Sequence, residues 1–187
     1  MESLDDIVLN AEDKMEKSIA FLQQEFSGLR TGKASPALVE NIKVSYYGSM
    51  VRIREIAGIS TPDTRLIVIT PYDPTALPEI EKAILAANIG ITPINDGRVV
   101  RVPIPELSEE RRRELTKVAR RMAEEARIAV RNERRDANEA IKALQKDGKA
   151  SEDDCKEALD QVQKDTDESI KKIDDMLRAK EQEIMAV

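Results

Sequence analysis

The sequence predicts an α+β protein: an antiparallel three-helix bundle interrupted by a small domain of short strands and one helix. Three observations predict it. Apolar residues recur every three or four positions through residues 4–29, 108–147 and 151–185, the stripe of an amphipathic helix. Gly and Pro are scarce, at 7 and 8, and unevenly placed, and the stretch 31–107 holds short β-favouring runs parted by turn residues. Charged residues reach 35% while aromatics are only 3%, a profile of long amphipathic helices rather than of a large aromatic core.

The first helix carries Leu4, Val8, Ala11, Met15, Ile19, Leu22, Phe26 and Leu29 on one stripe, and Ser3 with Asp6 forms a capping pair at its start. Between residues 31 and 107, strands are predicted at Ile42 to Tyr47, Met50 to Ile53, Leu66 to Ile69 and Val99 to Val102. A helix runs from about Ala76 to Asn88, with Pro78 tolerated in its first turn. Strand alternation sends one of Tyr46 and Tyr47 inward. Ser108 caps the second long helix, Glu109 and Glu110 complement its dipole, and Asp147-Gly148 ends it. Its stripe reads Leu115, Val118, Met122, Ala126, Ala129 or Val130, Ala137, Ile141 and Leu144. Ser151 with Glu152, Asp153 and Asp154 opens the third, whose stripe is Leu159, Val162, Thr166, Ile170, Ile173, Leu177 and Ile184.

An isolated amphipathic helix has nowhere to bury its stripe, and three together solve the problem as a bundle. Two domains are therefore expected, residues 1–30 with 106–187 as the bundle and 31–105 as the insertion. Thr31-Gly32 and Pro103-Ile104-Pro105 are the two connections and serve as a hinge.

Catalytic chemistry is poorly supplied. The chain has no His, which removes the commonest metal ligand and neutral-pH acid–base group. Cys155, the single cysteine, lies among Asp153, Asp154 and Glu157, which disfavour a reactive thiolate. One thiol without a disulfide framework fits a reducing cytosol. The start of the chain lacks the basic and apolar regions of a signal peptide, and no apolar run approaches the ~18 residues of a membrane span. Gly28-Leu29-Arg30-Thr31-Gly32-Lys33-Ala34-Ser35 has the look of a phosphate loop and fails as one. Its glycine spacing is one residue short, Ala34 follows the lysine, and a helix rather than a strand precedes it. No catalytic residue, metal site or cofactor is expected.

The net charge is −6, but its distribution matters more than its sum. Residues 108–135 carry 10 basic and 6 acidic groups, whereas residues 151–187 carry 6 and 12. With Leu115 at heptad position a, Arg113, Lys117, Arg120, Arg127, Arg131 and Arg134 fall at positions c and f, facing away from the bundle core. One reading is a solvated face with ion pairs along the helix. The other is an RNA-docking stripe, favoured by the choice of Arg in five of six positions, because guanidinium forks suit phosphate oxygens. Such a rod would contact RNA backbone and shape rather than read sequence. A helical scaffold or chaperone-like protein that binds no RNA stands as the alternative, and an enzyme acting on a small acid is a distant third.

Four segments give the chain a specific resemblance. They are Leu29-Arg30-Thr31-Gly32-Lys33-Ala34-Ser35-Pro36, Arg101-Val102-Pro103-Ile104-Pro105 leading into Ser108-Glu109-Glu110-Arg111-Arg112, residues 129–138 (AVRNERRDAN), and residues 162–167 (VQKDTD). With them the sequence resembles the ribosome recycling factor family over its whole length. The resemblance implies an L-shaped, monomeric cytoplasmic protein, a three-helix bundle with a hinged β/α/β domain. It implies binding to the large ribosomal subunit after peptide release. With elongation factor G and GTP, the latter bound by that partner, the factor then splits the ribosome into subunits. Family contacts to large-subunit RNA map onto Arg131 and Arg134, and onto Arg30 and Lys33; the family pattern often has Arg where Lys33 stands.

Overall fold

The structure, a computed structural model, describes residues 2–186. Long helices and a small sheet unit make the fold α+β, as expected. The chain separates into two compact units, one formed by residues up to Arg30 together with Glu109–Ala186, the other by Thr31–Ser108.

The helical unit packs α1 (Leu4–Ser27), α4 (Glu109–Lys146) and α5 (Glu152–Met185) pairwise against one another. At the start of α1 the Ser3 side chain accepts from the Asp6 N–H at 3.1 Å while Asp6 accepts from the Ser3 N–H at 2.9 Å, the reciprocal capping pair predicted. The helix stops at Ser27, two residues short of the predicted end, and Gly28 caps it in right-handed conformation. The 38 residues of α4 make a rod of roughly 57 Å. Its end is a Schellman turn: Lys149 N–H reaches the Leu144 carbonyl, Gly148 N–H reaches Gln145, and Gly148 takes the left-handed φ of 70° that this turn demands. Ser151 then accepts from the Asp154 N–H and launches α5 antiparallel to α4.

Burial corrects the predicted stripes by a fraction of a turn. On α4 the core positions are Leu115, Ala119, Ala123, Ala126, Val130, Ala137 and Ile141, while Val118, Met122 and Leu144 are only half-buried. The centre of the buried face is thus alanine, which lets two neighbouring helices come close; a search for large apolar residues steps past it. On α5 Cys155, Ala158 and Ser169 are buried where Leu159, Ile170 and Leu177 were expected, and those three are half-buried. Thr166 is fully buried and satisfied, its hydroxyl donating to the Val162 carbonyl at 2.7 Å. Cys155 is fully buried, so solvent access rather than its acidic neighbours decides its inertness.

In the second unit a hairpin of β1 (Lys43–Tyr46) and β2 (Ser49–Arg52) is followed by a one-turn helix α2 (Ile53–Ile56). A four-stranded antiparallel sheet runs in the order β3-β4-β6-β5, from β3 (Ala57–Asp63), β4 (Leu66–Pro71), β5 (Ile94–Asn95) and β6 (Val100–Pro103). The helix α3 (Leu77–Ala86) supplies Leu77, Ile80 and Ile84 to the core. Ile67 faces Val102 and Ile69 faces Val100 across the central strand pair, all four fully buried. Strand β3 was missed because Gly58, Pro62 and Asp63 read as turn residues; its last four positions are exposed, where Pro62 and Asp63 are tolerated. Tyr46 packs against the core and Tyr47 is 79% exposed, because Tyr47 lies in the hairpin turn with φ 48°, outside the strand's alternation. Both hydroxyls donate to Asp73 Oδ2, at 3.2 and 3.1 Å.

Candidate nucleic-acid interface

The predicted cationic row is present along α4, but its members stand in different surroundings. Arg113 is 72% exposed on its side chain and pairs with Glu109 one turn back, at 2.6 Å. Lys117 is exposed. Arg120 reaches across to α5, where its Nε meets Glu181 Oε1 at 2.7 Å. Arg127 has only 19% of its side chain exposed; it binds Asp174 of α5 at 2.6 Å and Glu124 of its own helix at 3.0 Å. Burial alone disfavours its charge, but the hydrogen bonds to Asp174 and Glu124 outweigh that and raise its pKa.

The prediction that the whole row faces away from the core fails at Arg127, for a reason visible in the packing. Ala123 and Val130 are core positions, and Arg127 stands four residues beyond one and three before the other, on the same ridge. Shifting the core face toward Ala119 and Ala123 brings position f to the α4–α5 seam.

Beyond Arg127 the surroundings change. Arg131 has one long contact, to Glu124 at 3.6 Å. Arg134 meets an amide: its guanidinium donates to Gln163 Oε1 at 3.4 Å, and among the described residues no carboxylate lies within ion-pair distance of it. Arg131, Arg134, Arg135 and Lys142 converge with Asn132, Asn138, Glu139 and Gln163 on a groove of about 400 Å³. Four cations face one acid there. Arg135, Lys142 and Gln163 were not singled out from the sequence; a wheel extended past residue 134 and continued across the antiparallel partner would have shown them.

The two other predicted contacts lie at the edges of the units. Arg30 is exposed at the end of the helical unit, just past α1, and Lys33 is exposed in the strand-rich one. Between them Thr31 is buried and Gly32 holds φ 78°; a Cβ there would stand 3.1 Å from Leu107 Cγ. Along the other connection Pro103 ends β6 and Pro105 is exposed, while Ile104 N–H bonds the Arg65 carbonyl at 2.8 Å. Glu106 pairs with Arg65, so the second connection stays fastened to the strand-rich unit past Pro105. In the same unit Asp96 accepts from the Arg98 and Val99 N–H groups and from Arg101, which holds its pKa down to about 2.

Among the described residues no helix is long and apolar enough to cross a membrane. A three-helix unit bearing a cationic groove, joined to a separate strand-rich unit, defines the class: a two-unit α+β protein built on a long helical bundle. A sequence profile described as ribosome recycling factor matches residues 22–185. The ribosome-recycling factor of Carboxydothermus hydrogenoformans is 53% identical over 184 residues, covering 98% of this chain and 100% of that protein. That of Bacillus subtilis is 47% identical over 182 residues, 97% and 98% of the two chains. A ribosome recycling factor solved in solution superposes with a TM-score of 0.79 at 46% identity, covering 100% of both chains. A second structure, of the T. thermophilus ribosome recycling factor and the E. coli elongation factor G bound to the E. coli post-termination complex, gives 0.66 at 42% identity over 98% and 100%. The chain belongs to the ribosome recycling factor family.

Proposed function

We propose that this protein binds the large ribosomal subunit in the cytoplasm after termination and, with elongation factor G and GTP, splits the ribosome into subunits. The GTP belongs to the partner. The observation that supports the docking face is the groove of Arg131, Arg134, Arg135 and Lys142, where four cations face a single acid and Arg134 is held by an amide alone. A guanidinium group in that state can take phosphate oxygens without first giving up an ion pair.

The docking set differs in emphasis from the full row. Arg131 and Arg134 are its centre, and exposed Arg30, Lys33, Lys117 and Arg113 add long-range attraction. Arg120 and Arg127 serve the bundle, tying α4 to α5. Thr31-Gly32 and the Pro103-Ile104-Pro105 segment, both fastened to the strand-rich unit, are the connections through which force on that unit reaches the docked rod.

A subunit-splitting assay with elongation factor G and GTP tests this reading. Activity that requires this chain supports it, and splitting at the same rate without it refutes it. Gly32→Pro tests the connection: proline cannot adopt the observed φ, so splitting should fall more than large-subunit binding does. Equal losses in both would remove the hinge as a separate step.

A further inference from the structure

The α4–α5 seam is a ladder with an irregular third rung. Arg120 pairs with Glu181 and Arg127 pairs with Asp174, so seven residues forward on α4 correspond to seven back on antiparallel α5. One more step brings Arg134 opposite Asp167. The pair does not form. Instead Gln163, one turn before Asp167, donates its Nε2 to Asp167 Oδ1 at 2.9 Å and offers its own Oε1 to Arg134 at 3.4 Å. One side chain therefore engages one oxygen of the acid, drawing it along its own helix, and presents a neutral acceptor to the cation.

We infer that Gln163 is a positioning residue that intercepts Asp167 and keeps Arg134 uncompensated and oriented for a phosphate of the large-subunit RNA. The inference rests on the docking reading above. Its physical content is a difference in local net charge. A guanidinium held by a neutral amide leaves the site positive, whereas one held by a carboxylate must give up that ion pair before it can neutralise a phosphate. Gln163 also gives Arg134 a direction, so less side-chain freedom is lost on docking.

The test measures large-subunit affinity against salt for the full-length parent, Gln163→Ala, Gln163→Ala with Asp167→Asn, and Arg134→Ala. Thermal melting is followed alongside; Gln163 and Asp167 are exposed, so their variants are expected to keep the parental melting temperature. Gln163→Ala leaves Asp167 to close on Arg134; affinity at moderate salt should fall by about 5- to 20-fold and the log–log salt slope by about one phosphate contact. Adding Asp167→Asn removes the competing charge and should restore the slope. A purely structural Gln163 would lower affinity at constant slope with no rescue by Asp167→Asn, and that result overturns the inference. If Arg134→Ala weakens binding while Gln163→Ala matches the parent, the insulating role falls and the docking face stands. If Arg134→Ala binds like the parent, the docking reading falls and takes this inference with it.

Discussion

Arg127 and Arg134 occupy equivalent, half-buried positions one heptad apart on a single helix, yet one is ion-paired and the other is not. Arg127 is enclosed between Asp174 and Glu124, and Arg134 faces an amide at the rim of a cationic groove. Residue type and helical position are the same, so the difference comes from what the neighbouring helix supplies. A stripe counted on one helix wheel is half of an electrostatic description; the facing residues of the packed partner are the other half.

The comparison can be broken most directly at its open member. Arg134→Ala should weaken large-subunit binding by about 1–3 kcal/mol while the melting temperature stays near that of the parent. Unchanged binding would mean the open groove is not the docking face. Arg127→Ala should do the reverse, lowering bundle stability by about 1 kcal/mol, with little change in ribosome binding. Arg127 is held in the seam by two acids, and denaturant unfolding would reveal a stability cost or its absence. Arg113→Ala should be close to silent, within about 0.5 kcal/mol in stability, because its pair with Glu109 is exposed and local.

The smallest effect sharpens the contrast from the other unit. Asp96 is anchored by backbone N–H groups, and its folded pKa of about 2 lies below its ordinary value of 3.8. The depressed value means its contribution to stability is complete above about pH 4, fades as pH falls toward 2 and is gone below that. An NMR titration of the Asp96 carboxyl should find its midpoint near 2; a midpoint near 4 would show that the 95–99 turn is not held as described.

Much of this fold can be read from the chain. The Ser3–Asp6 capping pair, the Gly148 turn, the three long helices and the α+β class all rest on local chemistry that a sequence displays. The phase of the α4 core was not legible, because Ala119 and Ala123 are buried for being small, which apolar periodicity weighs lightly. Strand β3 hid behind Gly58 near its start and behind Pro62 and Asp63, which its exposed end accepts. The cationic row itself was legible from its arginines. Its division into tied and open halves was not, since that depends on Glu181, Asp174 and Gln163, more than twenty residues away in sequence and aligned only once α5 folds back.

The central claim is that the open end of α4 meets phosphate and the tied middle does not. Large-subunit binding measured across a salt series for Arg134→Ala and Arg127→Ala, side by side with the parent, tests it most directly. The account predicts that the log–log salt slope drops by about one for Arg134→Ala and keeps its parental value for Arg127→Ala. Equal slopes for all three proteins, or a drop confined to Arg127→Ala, would contradict it.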